Sequence, residues 1–347
     1  MHDSNLHIKL ISRIFLAFFL ILVLSFQHTV AQNKEVVAKS GDGIYSVLKR
    51  NGLDPKQHTD AFIELNKNKL GKNNSLYKGT SYKLPNAEEV IESPVSNAKI
   101  GTHTRRYDIF GEKYADVEIK SDELKGAIYY LVAGHGGPDP GAVGRYNGQQ
   151  VCEDEYAYDV TLRMARNLIE KGALVYMITR DKNDGIRDES ILKADKDEVC
   201  HPNRTIPLNQ MKRLRQRVDA TNKLYRKNPK AFQRVIIMHV DSRSKGQNID
   251  IFFYHDQRSK TGKKTAQILQ RTFHDKYAQH QPGRGYHGTV SARNLYVLKN
   301  TYPVGVYIEL ANINHSRDIK RLIIADNRQA VANWLTQGLV TDFKTNK

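Results

Sequence analysis

Cysteine, tryptophan and methionine are scarce in this chain: two, one and five residues among 347. Two cysteines, Cys152 and Cys200, cannot build a disulfide scaffold or a thiolate zinc site, so the fold must rest on an apolar core. Whether the two pair with each other stays open at this level. Acidic side chains are few as well. Against 54 Lys and Arg stand 37 Asp and Glu, a net charge of +17, which calls for an anionic partner: nucleic acid, an acidic membrane face or an acidic polymer. No stretch interleaves aromatic with basic residues in the manner of a nucleic-acid binder. The one long apolar run, Ile14 to Leu24, is short for a membrane span. A His-Glu-x-x-His helix and internal repeats are also missing.

What is present is globular in character. With 39% hydrophobic and 26% charged residues, the chain can fold as one sizeable domain plus a small module. Lys9 and Arg13, the apolar run, and Thr29-Val30-Ala31 before Gln32 have the layout of a secretory signal peptide over residues 1–31. Export to the periplasm or cell wall is expected, with no stable membrane span after cleavage. It makes nucleic acid a poor partner and an extracytoplasmic anionic polymer a better one.

Residues 32–86 read as strand, Gly-Asp turn, helix from Ile44 to Arg50, helix from Thr59 to Asn66, turn and strand. On Gly41-Asp42, Asn66, Gly79 and Leu84-Pro85 this stretch resembles a LysM domain, which implies a β-α-α-β glycan-binding module. Residues 87–125 read as a linker bearing Pro94, then one or two irregular strands.

From 126 to 345, strands alternate with helices, which predicts an α/β domain with a mixed or mostly parallel sheet covered by helices. Strands are expected at Ile128–Val132, Leu174–Ile178, Arg234–Val240 and Val304–Leu310, with Ile249, Ile251 and Phe253 alternating as a half-exposed strand. Leu208, Met211, Leu214 and Val218 mark an amphipathic helix, and Val331, Trp334 and Leu335 the last one. Residues 181–206, rich in charge, look like an inserted loop.

Strand ends carry the candidate chemistry. His135 closes the first strand among Gly134, Gly136 and Gly137; Glu153 precedes a helix; His239 closes a later strand. Two imidazoles and a carboxylate, with a fourth position for water, are a common catalytic zinc set, although spacing alone does not bring them together.

The string Gly134-His135-Gly136-Gly137-Pro138-Asp139-Pro140-Gly141-Ala142 is followed by Glu153 before a helix, Thr179-Arg180-Asp181, Ile236-Ile237-Met238-His239 and Val306-Tyr307-Ile308-Glu309-Leu310. In this order the blocks resemble the zinc-dependent N-acetylmuramoyl-L-alanine amidases of the Amidase_3 class, over about residues 127–340. The resemblance implies that His135, Glu153 and His239 hold one Zn2+ and that Glu309 is the catalytic carboxylate. Peptidoglycan is then the partner, in cell wall remodelling or daughter-cell separation. Whether a protein activator acts on the enzyme is not legible. Val240-Asp241-Ser242 after His239, Leu310-Ala311-Asn312 after Glu309, and the 181–206 insert depart from the family pattern while leaving the metal set intact. The rival expectations are a zinc peptidase cutting within peptidoglycan stem peptides and a non-catalytic peptidoglycan-binding protein on an amidase-like fold. Arg243, Arg284 and Arg293 are weaker candidates for gripping substrate carboxylates.

Overall fold

The computed structural model describes residues 35–53, 55–85, 104–242 and 246–346. The expected signal peptide, the Pro94 linker and Arg243 lie outside the described residues. The chain divides into two compact units at residues 87 and 88.

The first unit runs β1 (Glu35–Val37), α1 (Ile44–Arg50), α2 (Pro55–Asn66) and β2 (Ser81–Lys83). Its two strands pair antiparallel, with Val36 opposite Tyr82. Val47, Leu48, Phe62 and Tyr82 fill its core. The Asp42 carboxylate accepts from Lys39 N at 2.7 Å and receives both Arg50 guanidinium nitrogens at 2.8 Å, so the turn and α1 are tied together. Asn66 closes the unit by donating to Lys83 O and accepting from Lys83 N, both at 2.8 Å. Helix α2 starts at Pro55, four residues before the expected Thr59. Proline has the right φ for a first helical position and lacks only a donor that the helix does not use there.

The second unit is built on a six-stranded sheet. Its elements are β3 (Thr104–Arg106), β4 (Asp116–Glu118), β5 (Ala127–Ala133), β6 (Val143–Tyr146), β7 (Gln149–Cys152), α3 (Glu153–Glu170), β8 (Leu174–Met177), β9 (Thr179–Arg180), β10 (Val199–Cys200), β11 (Arg204–Thr205), α4 (Gln210–Tyr225), β12 (Phe232–Asp241), β13 (Phe252–His255), α5 (Lys260–His280), β14 (Thr289–Ala292), α6 (Tyr296–Asn300), β15 (Val304–Asn312), α7 (Lys320–Ile323) and α8 (Ala325–Asn346). The sheet order is β14-β13-β15-β12-β5-β8, parallel throughout except where β13 meets β15. All seven residues of β5 are buried, as a central parallel strand with covered faces requires. Tyr129, Leu131, Ile236, Met238 and Val306 point to one face, under α3, α5 and α8. Tyr130, Val132, Val235 and Ile237 point to the other, under α4 and α6.

Three expectations need correction. Ile249 and Ile251 precede the strand and are buried, and the alternation frames the buried Asp250. That carboxylate takes hydrogen bonds from Arg284, Arg321 and His287 N, so Arg284 is spent on structure. Helix α4 buries only part of its expected stripe: Val218 is in the core and Leu214 packs against it, but Leu208, 78% exposed, precedes the helix and Met211 is 47% exposed, while Arg213 and Arg217 face inward. Residues 104–125 contribute Phe110, Val117 and Leu124 to the main core. Cys152 and Cys200 are free, buried thiols. No described helix is long and apolar enough to cross a membrane.

Candidate active site

Three chain segments meet at the carboxyl ends of β5 and β12. His135 follows β5 in a turn that only small residues allow. It has φ 60°, and Gly136 and Gly137 continue at 90° and 62°. A Cβ on Gly134 would lie 2.5 Å from His239 Nδ1, and one on Gly141 2.6 Å from Glu153 Oε2. The glycines are thus needed for close approach as much as for turning.

His135, Glu153 and His239 each bring a donor atom to within 4.8 Å of the others. Glu153 opens α3, where the helix N-terminus favours negative charge. One of its oxygens accepts from Val240 N at 2.9 Å and from His239 Nδ1 at 2.7 Å; the other accepts from Ala142 N at 2.8 Å. Burial alone would push this carboxyl up, but the His239 hydrogen bond, the two imidazoles and Val240 N hold it below its ordinary value. Burial pushes His239 down, which favours the neutral, lone-pair-bearing ring.

Asp139 orients His135. Its carboxylate takes the Nδ1 hydrogen of His135 at 2.8 Å and is also gripped by Arg213. The hydrogen bond from His135 is the main reason that Asp139 stays well below the usual carboxylate range. With Nδ1 committed as a donor, Nε2 keeps its lone pair facing Glu153 Oε2 at 3.3 Å. Two donors about 2.1 Å from one tetrahedral ion would stand about 3.4 Å apart, so the residues fit a zinc ion.

Glu309, buried, is paired in register with His239 on the adjacent parallel strand. Tyr307, two residues earlier, stacks on the His239 ring at 4.5 Å between centroids. All of these line a cleft of about 410 Å³, together with Arg213, Arg217 and Arg293. Asp139, Arg213, Arg217 and Tyr307 had no role that sequence pattern alone could assign. The 181–206 insert also reaches the site. Glu198 accepts from Gly137 N at 2.5 Å, and a Cβ on Gly137 would lie 2.9 Å from Ile206.

Comparison with known proteins decides the family. The sequence model described as N-acetylmuramoyl-L-alanine amidase, Amidase_3, matches residues 130–341. The chain belongs to that family. Its α/β domain with a mixed, mostly parallel sheet is the Amidase_3 architecture. One relative, the germination-specific N-acetylmuramoyl-L-alanine amidase of Bacillus subtilis, is 42% identical over 66 residues, which is 19% of this chain and 26% of that protein. The chain thus spans about a quarter of the length of that relative. Among solved structures, the CwlD amidase of Clostridioides difficile, in complex with the GerS lipoprotein, has a TM-score of 0.47 and 17% identity over 63% of this chain and 99% of that one. The catalytic domain of CwlV from Bacillus (Paenibacillus) polymyxa gives 0.44 and 20%, over 64% and 99%.

Proposed function

We propose that this member of the amidase family is an exported, zinc-dependent enzyme that cleaves the amide bond between N-acetylmuramic acid and L-alanine in peptidoglycan. The observation that carries this reading is the convergence of His135, Glu153 and His239 in one cleft, with Glu309 registered beside His239. His135, Glu153 and His239 would hold the ion. When bound, zinc lowers the pKa of water to about 7 and polarises the scissile carbonyl. Glu309 takes a proton from the attacking water and delivers it to the leaving amine. Asp139 keeps His135 in the tautomer that offers Nε2 to the metal. Tyr307 fixes the His239 ring plane and covers it. Arg213 and Arg217 brace Asp139 and the His135 carbonyl, and Arg293 on the cleft wall suits a stem-peptide carboxylate.

The N-terminal unit is proposed to be a LysM-like glycan anchor. Its strand–helix–helix–strand order and the exposed Tyr45 and Tyr77 rings support that reading. Tethering would raise the local substrate concentration at the cleft. The signal-peptide layout over 1–31 and the net charge of +17 support export toward an acidic polymer.

Mass spectrometry of peptidoglycan digested by the purified chain tests the reading. Free stem peptides with intact glycan are expected. Fragments cut within the stem would replace it with the peptidase, and binding without release would replace it with the wall-binding protein.

A further inference from the structure

The first turn of α3 and the 181–206 insert enclose a second group of carboxylates, which the proposed reaction does not use. Asp154, Glu155 and Glu198 bring one oxygen each to within 4.8 Å of one another. They are 2%, 2% and 6% exposed. Glu155 accepts from Arg187 Nη2 at 2.8 Å and from Asp195 N at 3.1 Å. Glu198 accepts from Gly137 N at 2.5 Å. Asp154 Oδ1 accepts from the neighbouring Glu155 N at 3.0 Å, whereas its Oδ2 is buried and receives no hydrogen bond. A buried carboxylate oxygen without a donor is costly. Arg187 hydrogen-bonds Glu155 but is shared with Asp184.

We propose that Asp154, Glu155 and Glu198 bind a hard divalent cation of the calcium class, at a site distinct from the imidazole-bearing one. Oxygen-only donors suit calcium, magnesium or manganese, whereas the His135–Glu153–His239 set suits zinc. Each carboxylate brings one oxygen to the group, and calcium completes a shell of about six to eight oxygens in irregular geometry. Magnesium keeps several waters and demands an octahedron, so a trio this buried favours the larger ion. A neighbouring trio on the same insert, Asp181, Asp195 and Asp197, deepens the negative potential there. Acid is concentrated in this insert although the chain as a whole is strongly basic.

The ion would act as a brace. Asp154 directly follows Glu153, and Glu198 holds the amide two residues beyond His135. One cation would therefore tie the insert to the helix turn and the loop that position two proposed zinc ligands. The site stands on its own geometry and does not depend on the amidase reading.

The test uses the full chain, zinc-loaded, dialysed into calcium-free buffer and titrated with calcium chloride by calorimetry. About one calcium per chain is expected, with a dissociation constant of about 1 mM or tighter, and magnesium weaker by about tenfold. Thermal unfolding should shift upward with calcium. Asp154→Asn and Glu198→Gln should each weaken calcium at least tenfold, with metal analysis of the variants reporting zinc separately. No uptake by the native chain at about 10 mM calcium, well above the expected constant, would overturn the proposal. So would variants that bind as tightly as the parent, since the ion would then sit elsewhere. A native crystal soaked in calcium needs no substitution: an anomalous-scattering peak among the three carboxylates is expected, and a peak only at other positions would overturn the assignment.

Discussion

Glu309 stands directly across from His239 on the neighbouring parallel strand. Parallel register puts their side chains on the same face of the sheet, where the cleft opens. One strand edge thus presents the proposed ligand and the next the proposed proton carrier, both on rigid backbone.

Glu309→Gln keeps size and hydrogen-bonding reach but cannot take a proton at neutral pH. Turnover should fall by about two to four orders of magnitude, in kcat more than in KM, with zinc retained. Glu153→Gln should lose the zinc as well. Metal analysis beside steady-state kinetics separates the two, and a Glu309→Gln protein without zinc would make Glu309 a ligand.

Purified chain should contain about one zinc. Chelation should abolish hydrolysis and added zinc restore it, whereas His135→Ala should lose both metal and activity. Full turnover after exhaustive metal removal would end the zinc mechanism.

Gly134→Ala tests the close approach of backbone to imidazole. The added methyl would lie 2.5 Å from His239 Nδ1, so the ring must move. A displacement of this size should lower turnover by about 100-fold while circular dichroism stays unchanged. Wild-type kinetics in this variant would show that the turn has slack.

His201 sets a pH dependence outside the site. Burial, with the Arg180, Lys223 and Arg204 charges, pushes it down from 6.5 to about 4. The native state refuses a proton that the unfolded chain accepts. Its contribution is therefore full above pH 6.5 and is lost as pH falls toward 4. The loss amounts to about 3 kcal/mol at most. Urea midpoints at pH 7 and near pH 4 should differ less in His201→Gln than in the parent, and equal differences would count against the burial argument.

Deleting residues 32–86 should weaken sedimentation with insoluble peptidoglycan and spare turnover of small soluble muropeptides. Unchanged sedimentation would leave the N-terminal unit without an anchoring role.

The strands of the sheet were legible because central parallel strands are continuous apolar runs, and His135 because its glycines betray a crowded turn. Helix α4 shows where such patterning fails. Of the expected stripe Leu208, Met211, Leu214 and Val218, the last two pack inward, but Leu208 precedes the helix, Met211 is exposed, and Arg213 and Arg217 share the buried face. Their guanidinium groups reach Asp139 and the His135 carbonyl. Hydrophobic patterning treats arginine as outward-facing, so residues that buttress a site from behind are invisible to it. Asp250 is hidden for the same reason: an acid between two buried isoleucines mimics the polar face of a strand.

Arg328 is wholly buried and donates to Asp159 of α3 at 2.6 Å, and to the carbonyls of Arg187 and Glu189 in the insert. Asp159 and Arg328 are separated by 169 positions. During synthesis the helix that begins with Glu153 is made long before the guanidinium that neutralises its buried acid. Until that residue emerges, Asp159 has only its neighbour Arg163 and the nearby Arg187 amide to lean on. The second unit should consequently remain unfinished for most of its passage from the ribosome, with its buried charges matched only once the last helix has emerged.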